Sequence, residues 1–189
     1  MGSDRLLLGI TGATGMLYVP SLLNRLATAQ VEVEAIISAT GRQVLKWELG
    51  FTAEELPGVR RWYAVDDFAA RPSSGSSRYR GMVILPCTMG SLAAIASGTC
   101  LNLIHRAADV TLKERRPLLL AVRETPFNRT HLRNMLTVQD AGGIVMPLMP
   151  SFYSQPRGLS EMADDLTMRI CDLLDISVTS TRRWQGPDC

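Results

Sequence analysis

Arg5-Leu6-Leu7-Leu8-Gly9-Ile10-Thr11-Gly12-Ala13-Thr14-Gly15 is a short apolar run that breaks into glycines and hydroxyls. A run without polar alternation suits a strand buried on both faces, and the small residues after it suit a tight turn. From Met16 to Ala27 the apolar residues return at helical spacing, with Pro20 tolerated in the first turn. Strand, small-residue turn and helix form the opening unit of a parallel α/β sheet.

The same rhythm continues outward. Val31 to Ile37 reads as a second strand ending at Ser38, and Gly41 to Leu49 as a helix. Gly81 to Leu85 is an apolar strand closed by Pro86, with Thr88 or Ser91 capping a helix that runs through Ser97. Leu101 to Arg116 is amphipathic, Pro117 to Val122 is a strand, and Pro126 to Asp140 is helical. Ile144 to Met146 makes a last strand, and Ser160 to Leu174 a final helix capped by Ser160. Residues 50–80 lose the rhythm; they hold Pro57-Gly58, Arg60-Arg61 and a polar string from Arg71 to Ser77. The pattern implies an α/β fold: a single doubly wound, Rossmann-like or flavodoxin-like parallel sheet with helices on both faces. Residues 1–176 are expected to form one domain and 177–189 a polar tail carrying Trp184.

A chain of 189 residues has room for one well-buried domain. Its formal charge of +2 is too mild for a nucleic-acid footprint, and no basic stripe alternates with aromatics. Its longest apolar runs, such as Leu118 to Val122, fall far short of the roughly 20 residues that span a bilayer. The first residues lack a secretory layout, and a cytoplasmic protein is expected. None of the four cysteines stands in metal-ligand spacing, and His105 and His131 do not complete a cluster, so no metal is expected.

In an open parallel sheet, ligands bind past the carboxyl ends of the strands. The residues there are Gly12 to Gly15, Ser38, Cys87 to Ser91, Arg123-Glu124, and Pro147 to Tyr153. Small residues let backbone approach a ligand, and free amides at helix starts favour phosphate. The first loop lacks the dinucleotide pattern GxGxxG, and Ser38 stands where an NAD-binding chain carries an acid. A mononucleotide fits better.

Several stretches resemble the UbiX family of flavin prenyltransferases, within the wider group of FMN-binding flavoproteins. They are Gly9 to Gly15, Pro72 to Ser77, Pro86 to Ala93, Asn102 to Asp109, Leu112 to Pro117, and Arg123 to Pro126. His131-Leu132, Asn134 to Leu136, Met149 to Tyr153, and Arg169 complete the series, in order over most of the chain. The resemblance implies transfer of a dimethylallyl group from its monophosphate or pyrophosphate to N5 and C6 of reduced FMN, without a metal. The product, prenylated FMN, serves a UbiD-type decarboxylase.

By the same resemblance, Gly12, Ala13, Thr14, Ser38, Thr88, Met89, Gly90, Ser91 and Arg123 hold FMN. Arg106, Lys113, Tyr153 and Arg169 cradle the donor phosphate, and Trp184 is a candidate lid over the prenyl slot. Thr14, Glu124 and Lys113 are the expected catalytic groups, Thr14 standing where the family has Ser. Read from residues alone, Lys113 to Arg116 also suits a solvated helix end, Arg123-Glu124 an ion pair closing a strand, Tyr153 loop packing, and Thr14 a helix cap. Ala39 departs from the family's frequent Lys. The alternatives are an FMN-binding carrier or accessory subunit, or a diverged FMN-dependent decarboxylase of the same fold. A homo-oligomer, by resemblance a dodecamer with sites completed by neighbours, is expected. The apolar residues of Leu101 to Val110 and Met146 to Pro150 exceed what one small sheet covers.

Overall fold

The computed structural model describes residues 4–178. Its strands are β1 (Arg5–Ile10), β2 (Glu32–Ile37), β3 (Val59–Tyr63), β4 (Gly81–Cys87), β5 (Leu118–Val122) and β6 (Ile144–Pro147). Its helices are α1 (Tyr18–Thr28), α2 (Ala39–Leu49), α3 (Met89–Ala96), α4 (Leu103–Lys113), α5 (Arg129–Asp140) and α6 (Leu159–Leu173). The strands form one parallel sheet in the order β3-β2-β1-β4-β5-β6. Strand order reverses between β1 and β4, which opens a crevice at their carboxyl ends.

Strand alternation feeds two cores. Leu6, Leu8 and Ile10 of β1 join Val83 and Leu85 of β4 under α1, α2 and α6. Leu7, Met82 and Ile84 face the other way, under α3, α4 and α5. Two-sided burial explains why these strands read as continuous apolar runs. β4 continues through Pro86 to Cys87, two residues past the expected end. Pro86 has no N–H to give, and the register to β5 shifts between Ile84 and Cys87.

Residues 50–80 are more ordered than the sequence suggests. They contain β3 and two 3-10 turns, Ala53–Glu55 and Arg71–Ser73. β3 is an edge strand whose Arg60 and Arg61 face solvent, so its polar reading hid it. A buried carboxylate ties the rest of this segment to the sheet. Glu34 of β2 is only 3% exposed and accepts hydrogen bonds from the hydroxyls of Tyr63 (2.8 Å) and Tyr79, with Arg5 Nε 3.4 Å away. Burial alone would raise its pKa; the hydrogen bonds from Tyr79 and Tyr63 and the charges of Arg5 and Arg71 outweigh that and lower it.

Helix starts differ in detail. Thr88, Asn102 and Asn128 cap α3, α4 and α5 by accepting from Ser91, His105 and His131 N–H. Ser160 does not cap α6, which begins one residue earlier behind Gly158 with no side-chain cap. Thr14 does not cap α1 either, because the chain turns for longer and Leu17 occupies the cap position.

Candidate functional site

Two hydrogen-bonded turns build the crevice floor. Thr11 Oγ1 donates to Pro86 O (2.8 Å) and accepts from Thr88 N–H (2.9 Å), which locks the β1 turn to the β4 turn. On the other flank Ser38 N–H donates to Ile10 O (2.9 Å), and Ser38 Oγ caps α2 through Gly41 N–H (3.0 Å). Arg123 N–H reaches Cys87 O (3.2 Å) and Leu148 N–H reaches Val122 O (2.9 Å), extending the floor toward β6. Gly12, Ala13, Thr14, Ser38, Thr88 to Ser91, Arg123 and Glu124 therefore share the carboxyl edge.

Gly12 is glycine for a local reason. A Cβ there would lie 2.4 Å from Thr40 Cγ2 and 2.6 Å from Thr40 Cβ. Gly90 differs: a Cβ would meet only Thr88 Oγ1, at 4.0 Å. Outside its own helix, no other described residue comes within 4 Å of that position. The Met89 and Gly90 amides open α3 and have no intrahelical acceptor, a geometry suited to phosphate oxygens. The Thr14 side chain is exposed and makes no hydrogen bond among the described residues.

Glu48 is a residue that sequence reasoning missed. Its Oε2 accepts the amides of Gly15 (3.0 Å) and Met16 (2.8 Å), so a carboxylate from α2 shapes the turn that carries Thr14. At the far end of an amphipathic helix it reads as a solvated charge. Its partners are backbone amides, which leave no trace in residue types.

Next to these turns lies a cleft of about 440 Å³ lined by Arg123, Glu124, Thr125, Phe127, Leu148 and Met149. One cation and one carboxylate stand over an otherwise largely apolar wall. The expected alternative of an Arg123–Glu124 ion pair is absent among the described residues; Glu124 Oε1 accepts Thr125 N–H (2.9 Å) instead. Cys87 adjoins the site as a buried group only, since burial pushes its thiol up to about 12.

The four donor-cradle residues are split across the protomer: Arg106 and Lys113 stand on α4 and Arg169 on α6, on opposite faces of the sheet, with Tyr153 on the β6–α6 connection. Lys113 ends α4, which descends to the amino edge of β5, and it is ion-paired with Glu114. There Arg116 clasps Ser77 O (2.6 Å) and Gly75 O (2.8 Å). Arg106 pairs with Asp109 (2.9 Å) and donates from Nε to Ser73 O (3.2 Å). Arg169 pairs with Asp172 (2.9 Å) near the end of α6, whose following turn is held by Arg80, just before β4. Tyr153 is exposed on the β6–α6 connection, beyond Met149 of the cleft. Trp184 lies outside the described residues.

The apolar surface also departs from expectation. Leu103, Ile104, Ala107, Ala108 and Val110 are spent on the protomer's own core, and within that segment only Leu101 stays strongly exposed among the apolar residues. The uncovered face is at the other expected segment, Met146 to Pro150, and extends beyond it. It comprises Leu132 and Leu136 of α5 together with Met149, Phe152, Tyr153 and Leu159, flanking the half-buried edge strand β6.

Comparison with known proteins places this geometry. A family model described as Flavoprotein matches residues 1–176. The flavin prenyltransferase UbiX of Methanothermobacter thermautotrophicus is 44% identical over 184 residues, covering 97% of this chain and 96% of its own. A crystal structure of AnUbiX (PadA1) in complex with FMN and dimethylallyl pyrophosphate superposes with a TM-score of 0.94. It is 39% identical and covers 96% of this chain and 97% of its own. A dodecameric FMN-dependent UbiX-like decarboxylase from Escherichia coli O157:H7 gives a TM-score of 0.92 at 36% identity, covering 96% of this chain and all of its own. The chain belongs to the flavoprotein family and, within it, to the UbiX flavin prenyltransferases.

Proposed function

We propose that the chain transfers a dimethylallyl group from dimethylallyl phosphate or pyrophosphate to N5 and C6 of reduced FMN, and that the prenylated FMN serves a UbiD-type decarboxylase. The observation that carries this reading is the junction of an open, amide-rich crevice with the Arg123–Glu124 cleft. The residues present fit FMN: Gly90 leaves room, the Met89 and Gly90 amides have no intrahelical acceptor, and hydroxyls of Ser38, Thr88 and Ser91 surround the floor. Bound in its reduced form, FMN supplies the nucleophilic N5 and C6.

The chain's own groups supply the rest. Thr14 presents its hydroxyl to the crevice, and Arg123 offsets negative charge beside it. Phe127, Leu148 and Met149 keep water from the isoprenoid. Glu124 holds or accepts the proton exchanged as the phosphate leaves. Arg106, Lys113, Tyr153 and Arg169 stabilise the leaving phosphate. Support for drawing them from several copies is their separation here: Lys113 stands at the amino edge and Glu124 at the carboxyl edge. The exposed apolar face beside the cleft supports a homo-oligomer, a dodecamer by analogy with the Escherichia coli relative. Among the described residues no helix is long and apolar enough to cross a membrane. We assign the protein to the cytoplasm.

The test is anaerobic incubation of the reduced, FMN-loaded protein with dimethylallyl phosphate, followed by mass and absorbance of the released flavin. A mass gain of one dimethylallyl unit is expected. Unmodified FMN after many nominal turnovers, with either donor, leaves the carrier reading standing instead.

A further inference from the structure

Behind the α3 N-terminus sits a histidine to which the proposed chemistry gives no role. His105, on the first turn of α4, is 6% exposed. Its Nε2 lies 3.3 Å from Ser91 Oγ, and its Nδ1 is buried with no hydrogen-bond partner among the described residues. Ser91 Oγ also accepts from Thr88 Oγ1 (3.1 Å), and Ser91 N–H donates to that same Thr88 oxygen (3.2 Å). The chain thus runs from a buried imidazole to the cap residue at the tip of the helix.

Proton counting fixes its direction. A serine oxygen has two lone pairs and one proton, and a neutral imidazole has one N–H and one bare nitrogen. Burial lowers the His105 pKa, which keeps the ring neutral near pH 7. With the proton on Nδ1, a donor is stranded in the core; with the proton on Nε2, it is used on Ser91 and only a lone pair stays bare. The second arrangement wastes less. Both Ser91 lone pairs are then filled, by Thr88 and by His105, and the Ser91 proton has no acceptor left among the described residues.

We propose that His105 is a positioning residue for FMN: by donating Nε2–H to Ser91 Oγ, it makes the Ser91 hydroxyl an obligate donor to an oxygen of the flavin phosphate. The Met89 and Gly90 amides at the start of α3 would hold the same phosphate. The inference rests on the FMN reading and adds a residue outside the ligand-contacting turns. Ser91 is the contact, and His105 sets which way its proton points.

Reach separates this role from a structural one. A glutamine at 105 extends its amide nitrogen about as far as Nε2, whereas an asparagine reaches only as far as Nδ1 and misses Ser91. FMN and riboflavin affinities are measured by flavin fluorescence quenching on the purified chain. His105→Gln is expected to match the parent, and His105→Asn to bind FMN about tenfold more weakly with riboflavin affinity unchanged, the size of one hydrogen bond to a charged group. In a Ser91→Ala background the Gln and Asn variants become equal. Equal FMN affinities for the two single variants overturn the proposal, as does a matching loss for riboflavin. A parent protein that binds no flavin removes the FMN reading itself, an outcome distinct from either.

Discussion

Gly12→Ala tests whether the first turn positions ligand by backbone proximity. The new Cβ would sit 2.4 Å from Thr40 Cγ2, 2.6 Å from Thr40 Cβ and 3.2 Å from its carbonyl carbon. Carbon atoms rest at about 3.5–4.0 Å, so the turn or the start of α2 must retreat by about 1 Å. Neither is free to do so. Ser38 ties the start of α2 to Ile10 O and to Gly41 N–H, and Thr11 ties the turn to β4. Overpacking of this kind costs about 1–3 kcal/mol, and a 1 Å displacement beside the reacting atoms costs on the order of 100-fold in rate. Urea denaturation reads the first effect and prenylated-flavin formation the second. A second substitution sharpens the test. Thr40→Gly removes both clashing carbons and is expected to recover most of the stability, less about 0.3 kcal/mol for glycine in place of threonine in a helix. Thr40→Ala keeps the Cβ at 2.6 Å and is expected to recover little. An unchanged urea midpoint for Gly12→Ala, or equal rescue by Ala and Gly at position 40, refutes the steric argument.

Glu34→Gln is expected to cost about 2 kcal/mol at pH 7, the worth of a hydrogen bond to a charged group, and to flatten the acid limb of the stability curve. Because the folded pKa lies below the ordinary 4.5, the carboxylate's contribution is full above that value and is lost as pH falls through the lower folded one. Parallel acid limbs for parent and variant would sink this. Mixing Lys113→Ala with Glu124→Gln protein, each inactive alone, is expected to restore activity in about one site in four if the two groups serve a site from different subunits. No recovery in verified mixed oligomers would put both groups in one protomer's site.

The sheet was legible wherever a strand is covered on both faces. β1, β4 and β5 announce themselves as apolar runs, while β3 (Val-Arg-Arg-Trp-Tyr) lies at an edge with two arginines in solvent. The carboxyl-edge site was legible for a topological reason, since residues directly after parallel strands converge whatever their side chains. The distance of Lys113 was also implicit, because a helix that precedes a strand delivers its end to the opposite edge. Resemblance groups residues by role and does not say which copy supplies them. Glu48 and the His105–Ser91 link were out of reach: one acts on backbone amides, and the other depends on the packing of α4 against α3.

The carboxylate of Glu48 has a bearing on which nucleotides this fold rejects. In dinucleotide-binding relatives of the architecture, the amides that open the first helix receive a diphosphate bridge. Here two amides of the turn before α1 are already engaged by the Glu48 side chain, at 3.0 and 2.8 Å. A diphosphate arriving at that helix would meet like charge and spent donors, an unfavourable encounter on both counts. The berth at α3 remains open. Discrimination against NAD-type molecules would thus be written into the scaffold as a repulsion, supplied by the far end of the same helix whose first turn packs against the FMN site.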